Sequence, residues 1–220
     1  MIPTPPHIIT EDDHDYPLGT LKGNIVHYDF QQILSYLEFK GKKCFGKRFE
    51  ICEKDHGVLK KLIYCVIKDY ENCEKLQIDP AKGILLTGPI GCGKTSLMKL
   101  LKFIVPHQKP YSVIASRNIL FSFNHIGFKA VEDYGNSSYF CFDDLGVEPM
   151  GRYYGQDCNV IGEVLLSRYE LFVNHKVKTH ATTNLNADEL EARYGNRVRS
   201  RMRQLFNLIA FDQATSDKRI

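Results

Sequence analysis

The chain of 220 residues has no tryptophan, and nowhere do eighteen apolar residues run together. A membrane-spanning helix is therefore not expected. Its amino terminus, MIPTPPHIITEDDHDYPLG, has prolines and acids where a secretory leader needs a basic start and an apolar run. None of the seven cysteines lies two residues from another, the spacing zinc modules usually use, and their odd number argues against a disulfide framework. Buried or incidental thiols in a reducing compartment, and a cytoplasmic location, are the expectation. Charge of one sign is also scarce: 29 Lys and Arg against 26 Asp and Glu leave +3, which neither demands nor forbids a polyanionic partner. A composition 43% hydrophobic and 25% charged excludes disordered, collagen-like and coiled-coil classes. The length suits one sizeable α/β core with an appendage.

Residues 1–20 are rich in Pro, Asp and His, show no period, and read as an extended or disordered arm. A short helix is expected within 27–37, followed by a basic stretch over 40–48. This sets a division near residue 45, between an N-terminal arm (1–45, partner-binding or partly disordered) and a main body (46–220). In the body, Leu59, Leu62, Ile63, Val66 and Ile67 recur at helical spacing. Short apolar runs at 83–87, 111–115, 139–142, 179–182 and 208–211 read as strands. Helical patterns lie between them, one of them, 119–131, interrupted at Gly127. This alternation predicts a five-stranded parallel sheet between helices.

Between the first body strand and its helix stands Gly88-Pro89-Ile90-Gly91-Cys92-Gly93-Lys94-Thr95, which fits G-x-x-x-x-G-K-[ST] at every fixed position. Glycines let a backbone wrap phosphates closely, and the N–H groups of the loop and of the following helix, which begins Lys94-Thr95-Ser96, face their charge. Lys94 suits the β- and γ-phosphates and Thr95 a Mg²⁺ ion, which calls for a second oxygen ligand nearby. Asp143, at the carboxyl end of an apolar strand, is the expected Walker B carboxylate. Asp144 is then the candidate to polarise an attacking water.

These residues, with FDDLGVE at 142–148, LLSRYE at 165–170, TTNL at 182–185 and RYGNRVRSRMR at 193–203, resemble in order and spacing the AAA+ ATPases of the DnaC helicase-loader and IstB transposition-helper clade. The resemblance covers 45–211 and implies an AAA+ type P-loop NTPase fold whose C-terminal lid is absent or minimal. It implies ATP and Mg²⁺ as cofactors, ATP-dependent homo-oligomers, contact with DNA, and a replicative helicase or a transposase as partner, with no membrane. It makes Asn184 the sensor 1 amide, a residue otherwise read as a turn or helix cap. It makes Arg201 the arginine finger offered to a neighbouring subunit, with Arg197 the second candidate. Arg168 is left between a trans contact and an internal ion pair. Phe121, Phe123, His125, Phe128 and Lys129 fall where this clade carries a DNA-facing element, although Phe at such spacing is also ordinary core.

Many AAA+ proteins carry Glu where this chain has Asp144, so slow hydrolysis is expected, with Glu148 as a fallback base. Two other readings fit the same loop: a P-loop kinase acting on a small molecule, and a nucleotide-gated adaptor that does not hydrolyse.

Overall fold

Five short apolar segments meet in one sheet. In the computed structural model, which describes residues 5–218, the chain runs through two antiparallel hairpins, β1 (Ile8–Glu11) with β2 (His14–Pro17) and β3 (Gly19–Lys22) with β4 (Ile25–Tyr28). Helices α1 (Phe30–Phe45), α2 (His56–Ile67) and α3 (Tyr70–Lys75) follow. The body continues through β5 (Gly83–Thr87), α4 (Lys94–Leu101), β6 (Ser112–Ala115), α5 (Ser116–Ile126), α6 (Phe128–Gly135) and β7 (Phe140–Leu145). A third hairpin, β8 (Gly151–Tyr153) with β9 (Gln156–Cys158), precedes α7 (Val160–His175), β10 (Thr179–Thr183), α8 (Ala187–Leu205) and β11 (Phe206–Ala210). The strand order β11-β5-β10-β7-β6 is parallel throughout.

Side-chain alternation along the strands divides the core into two layers. Ile84, Leu86, Cys141 and Ile209 face α1, α2 and α4, where Ile33, Leu37, Leu59, Leu62, Met98 and Leu101 are buried. Leu85, Phe142 and Ala181 face α5, α7 and α8, against Ile119, Phe123, Ile161, Leu165 and Met202. Gly83 is there because β5 and β10 come very close: a Cβ on it would stand 1.6 Å from the Thr179 carbonyl oxygen. Four helices, α1, α3, α7 and α8, start on side-chain caps. Asp29 accepts from the Gln32 N–H at 2.9 Å, and Asn186 with Glu189 forms a capping box on α8.

The segment read from sequence as an aperiodic arm is paired and docked within the described residues. Its first hairpin offers Glu11 to α1, where the carboxylate accepts from Lys40 at 2.6 Å, Lys43 at 2.9 Å and the Tyr36 hydroxyl at 3.3 Å. Burial alone would raise the Glu11 pKa, but the hydrogen bonds and charges of Lys40 and Lys43 outweigh it and hold the group below its ordinary value. The basic stretch expected to lead out of α1 is therefore partly inside it. Leu18 is fully buried in the same layer as α1 and α2. After β11, residues 211–218 contain no helix.

Arg168, on α7, is fully buried. Its Nε donates to Thr179 Oγ1 at 2.7 Å, Nη1 to the carbonyls of Ser138 (2.8 Å) and Asn136, and Nη2 to the Lys178 carbonyl at 3.1 Å. The guanidinium lies 5.5 Å from the Phe140 ring centre. Neither role left open by the sequence is realised: its partners are uncharged oxygens of its own chain. Desolvation lowers its pKa to about 10, so the group stays charged at neutral pH and binds α7 to the starts of β7 and β10. Arg168→Met should lose about 2–4 kcal/mol in urea unfolding, because buried acceptors lose a charged donor. A loss below about 1 kcal/mol would mean that solvent satisfies those carbonyls.

Candidate functional site

The loop between β5 and α4 turns on three glycines with positive φ, Gly88 (153°), Gly91 (78°) and Gly93 (99°). Gly93 leads directly into α4, leaving the first N–H groups of that helix at the mouth of the loop. Lys94 is buried. Its ammonium donates to the carbonyls of Gly88 (2.7 Å) and Pro89 (2.8 Å) and sits 3.8 Å from Cys92 Sγ. Cys92 is fully buried, Ile90 is exposed, and Ser96 lies partly exposed in the first turn of α4. The chain beyond β11 crosses this loop. The Phe211 N–H donates to the Thr87 carbonyl at 2.8 Å and the Lys218 N–H to the Gly91 carbonyl at 3.1 Å. Asp217 lies so close that a Cβ on Gly91 would fall 2.0 Å from its Oδ1, and Lys218 pairs with Asp55.

At the foot of the loop Thr95 Oγ1 meets the Asp143 carboxylate at 2.9 and 3.0 Å. Asp143 is buried and paired in register with Ala115 of β6. Thr182, on β10, donates its hydroxyl to Asp143 Oδ1 at 2.7 Å and accepts the Asp144 N–H at 2.9 Å. The Asp144 carbonyl accepts from Ser116 Oγ at 2.7 Å. The β7–β10 register shifts here, between Ala181 and Thr183, and Asp144 adopts φ +55°. Asn184 follows β10 directly, one residue past Thr183, which pairs with Thr87 just before the loop. Asp143, Asp144 and Asn184 thus lie at the carboxyl ends of neighbouring strands. The donor set of Thr95 and Asp143 is all oxygen, which fits Mg²⁺.

Glu148, expected as a fallback base, has hydrogen-bond donors of its own. Its buried carboxylate accepts from the Gly146 N–H at 2.9 Å and from the Tyr194 hydroxyl at 2.7 Å. Burial first, then the Glu148 charge, pushes Tyr194 far above its ordinary value, so the phenol keeps its proton. Arg193 adds bonds to the carbonyls of Glu148 (2.6 Å) and Pro149 (3.0 Å). The cluster fastens α8 to the loop after β7.

Helix α8 runs from the carboxyl ends of the strands to their amino ends. Its Arg203 carbonyl accepts from Lys82, just before β5, at 3.3 Å. A five-residue strand spans about 17 Å, so the last turn of α8, including Arg201, lies at the edge opposite the chain's own phosphate loop. Arg201 stacks on Tyr169, 4.6 Å from the ring centre. Arg197 is exposed two residues past Gly195, where the helix kinks (φ 83°, ψ 159°). Arg199 is buried with its Nε unbonded among the described residues, and burial, then the charge of Arg203, lowers its pKa.

No protein-family model matches the chain. A stretch of 33 residues, 15% of the chain, is 52% identical to a proposed ABC transporter ATP-binding protein of Methanosarcina acetivorans and spans 5% of that protein's length. Among solved structures, 84% of the chain matches 98% of a proposed primosome component from Streptococcus pyogenes at TM-score 0.54 and 18% identity. Domain III of the replication initiation protein DnaA from Thermotoga maritima matches over 76% of this chain and 65% of that one, at TM-score 0.50 and 15% identity. The DnaC helicase loader gives TM-score 0.47 and 22% identity over 60% of this chain and 79% of its own. The chain has the AAA+ P-loop fold.

Within this AAA+ fold the sequence missed Thr182 and Ser116, whose hydroxyls fix the two aspartates. Their signal was the Thr-Thr preceding Asn184 and a serine at the start of α5. The aromatic segment divides: Phe123 is core, against Phe128 (5.5 Å) and Tyr153 (6.0 Å), whereas Phe121, Phe128 and Tyr154 are exposed on the surface of α5, α6 and the β8–β9 turn. His125 is exposed, and Lys129 is exposed but paired with Asp133 at 2.8 Å. Thr182→Val should leave the Asp144 N–H without its acceptor and cost about 1–3 kcal/mol in chemical denaturation, whereas Thr182→Ser should keep most of the stability. A loss in Thr182→Ser as large as that in Thr182→Val would mean that the methyl group matters as much as the hydroxyl.

Proposed function

We propose that the chain binds ATP with Mg²⁺ and hydrolyses it slowly within an oligomer of its own copies assembled on DNA, in support of a replicative helicase. The observation that carries this reading is the meeting of Thr95 and Asp143 at 2.9 Å beneath the loop, with Lys94 held inside it. The loop amides, from Gly88 through Thr95 and Ser96, take the phosphates, and Lys94 exchanges its carbonyl partners for phosphate oxygens. Thr95 and Asp143 would hold Mg²⁺, which when bound neutralises charge on the β- and γ-phosphates. Asp144 and Asn184 orient the attacking water. Arg201 or Arg197 of a neighbouring copy stabilises charge developing on the transferred phosphoryl group.

A trans role is supported by the position of Arg201 beyond reach of its own loop and by the exposure of Arg197. The helicase-loading partner rests on the sequence resemblance and on the primosome relative; the transposase-helper reading shares the chemistry and differs in partner. Residues 1–45 are the proposed partner-binding segment, the exposed Phe121 and Phe128 the proposed DNA contact, and the cytoplasm the proposed location. A nucleotide-gated adaptor without hydrolysis is a second reading, favoured by the commitment of Glu148 to Gly146 and Tyr194, which leaves only the shorter Asp144 as a base.

Lys94→Ala should abolish ATP binding. Arg201→Ala or Arg197→Ala should bind ATP but lose about 10³-fold or more in turnover. Mixing the impaired arginine variant with Asp143→Asn, which keeps its arginines, should restore phosphate release. Failure of that complementation removes the trans site. ATP-driven assembly with no phosphate release over hours selects the adaptor.

A further inference from the structure

At the amino-terminal edge of the sheet, the side away from the phosphate loop, a cavity of about 330 Å³ opens between the end of α2, the turn after α4 and the starts of β5, β6, β7 and β10. Six lysines line it: Lys68, Lys82, Lys102, Lys109, Lys176 and Lys178. No Asp or Glu lines it, and among the described residues none of the six has a carboxylate within 4.0 Å. Five of them contact neutral groups. Lys82 donates to the Arg203 carbonyl and Lys178 to the Pro80 carbonyl. Lys102, Lys109 and Lys176 lie 5.4–5.6 Å from the ring centres of Phe103, Tyr139 and Phe172.

Six cations in one concavity are out of proportion to a chain whose net charge is +3. Elsewhere in the molecule Lys40, Lys43, Lys75, Lys129 and Lys218 pair with acids. Around Lys178, burial and the like charge of Lys68 lower the amine's pKa, only partly offset by Cys65 and Asp79. Asp79 acts on Lys178 from outside the lining, and with no acid in the walls the positive field is only partly compensated from within the protein. The walls add flat rings, with Tyr111 and His180 4.7 Å apart. Open α/β sheets usually take ligands at the carboxyl ends of their strands, so this is a separate place. Its volume suits one small ligand, whereas a nucleic-acid groove runs along several nucleotides.

We propose that this cavity is a second anion site, taking a small polyphosphate such as a nucleoside polyphosphate, with the ammonium groups on its phosphates. The same phosphate chemistry could be supplied by a nucleic-acid strand, and the experiment separates the two sources. Inorganic tripolyphosphate and a 20-nucleotide single strand are titrated calorimetrically into the full chain carrying Lys94→Ala. The exposed rim lysines are changed as the pair K109E/K176E, with K109R/K176R as the conservative pair and K42E/K47E as a charge-matched change on and just after α1.

Tripolyphosphate should bind the Lys94→Ala chain at one site, lose at least tenfold in affinity in K109E/K176E, and keep its affinity in K109R/K176R and in K42E/K47E. Unchanged affinity in K109E/K176E overturns the site, and so does an equal loss in K42E/K47E, which would mark diffuse charge. Loss of strand binding with tripolyphosphate unaffected overturns the small-anion ligand in favour of nucleic acid. The outcome does not depend on the ATP reading, which fails separately if Lys94→Ala leaves ATP affinity intact.

Discussion

A single buried carboxylate, that of Asp143, holds the carboxyl edge of the sheet together. It accepts from Thr95 at the start of α4 and from Thr182 on β10, and its own strand is paired on the other side with β6. Three parallel strands and the helix after the phosphate loop therefore converge on one group. Its burial makes the arrangement strict, since a carboxylate away from water must have its lone pairs occupied by donors. Thr182 supplies one such donor and spends its own acceptor on the next backbone amide, so β10 and β7 are locked beside the site.

The two edges of the sheet are built on different electrostatics. At the carboxyl edge the helix N-terminus and Lys94 are countered by aspartates and by the loop carbonyls. At the amino edge lysines gather without acids, and Arg168 is buried among carbonyls that make no ion pair with it. Helix α8 joins the edges, pinned just before its kink by Arg193 and Tyr194 to the segment after β7 and ending against Lys82.

Much of the body was legible because its signals are local. The glycine spacing of 88–95 dictates the loop, and apolar runs too short for helices dictate buried strands. The aspartates followed from their place at a strand end. What escaped was encoded in pairs of distant residues or in weak turns. Thr182 and Ser116 look like ordinary strand and helix residues until β10 and α5 are set beside β7. The hairpin of β3 and β4 turns at Gly23-Asn24, a readable two-residue signal, but the first hairpin turns at Asp12 and Asp13 with positive φ and the third at Tyr154-Gly155, and neither Asp-Asp nor Tyr-Gly announces a turn strongly. The hydrogen bond to Glu148 could not be read because its partner Tyr194 lies 46 residues away.

The bent backbone at Asp144 bears on an apparent shortcoming of the sequence. In a regular strand, successive side chains point to opposite faces; the register shift and the positive φ release position 144 from that alternation. Left-handed backbone is tolerated by Asp and Asn far better than by longer or branched side chains. The strain of this conformation comes from the Cβ, which Asp and Glu share, and Asp eases it through the local hydrogen bonding of a short side chain, so the shorter carboxylate is the form this corner of the fold accommodates with least strain.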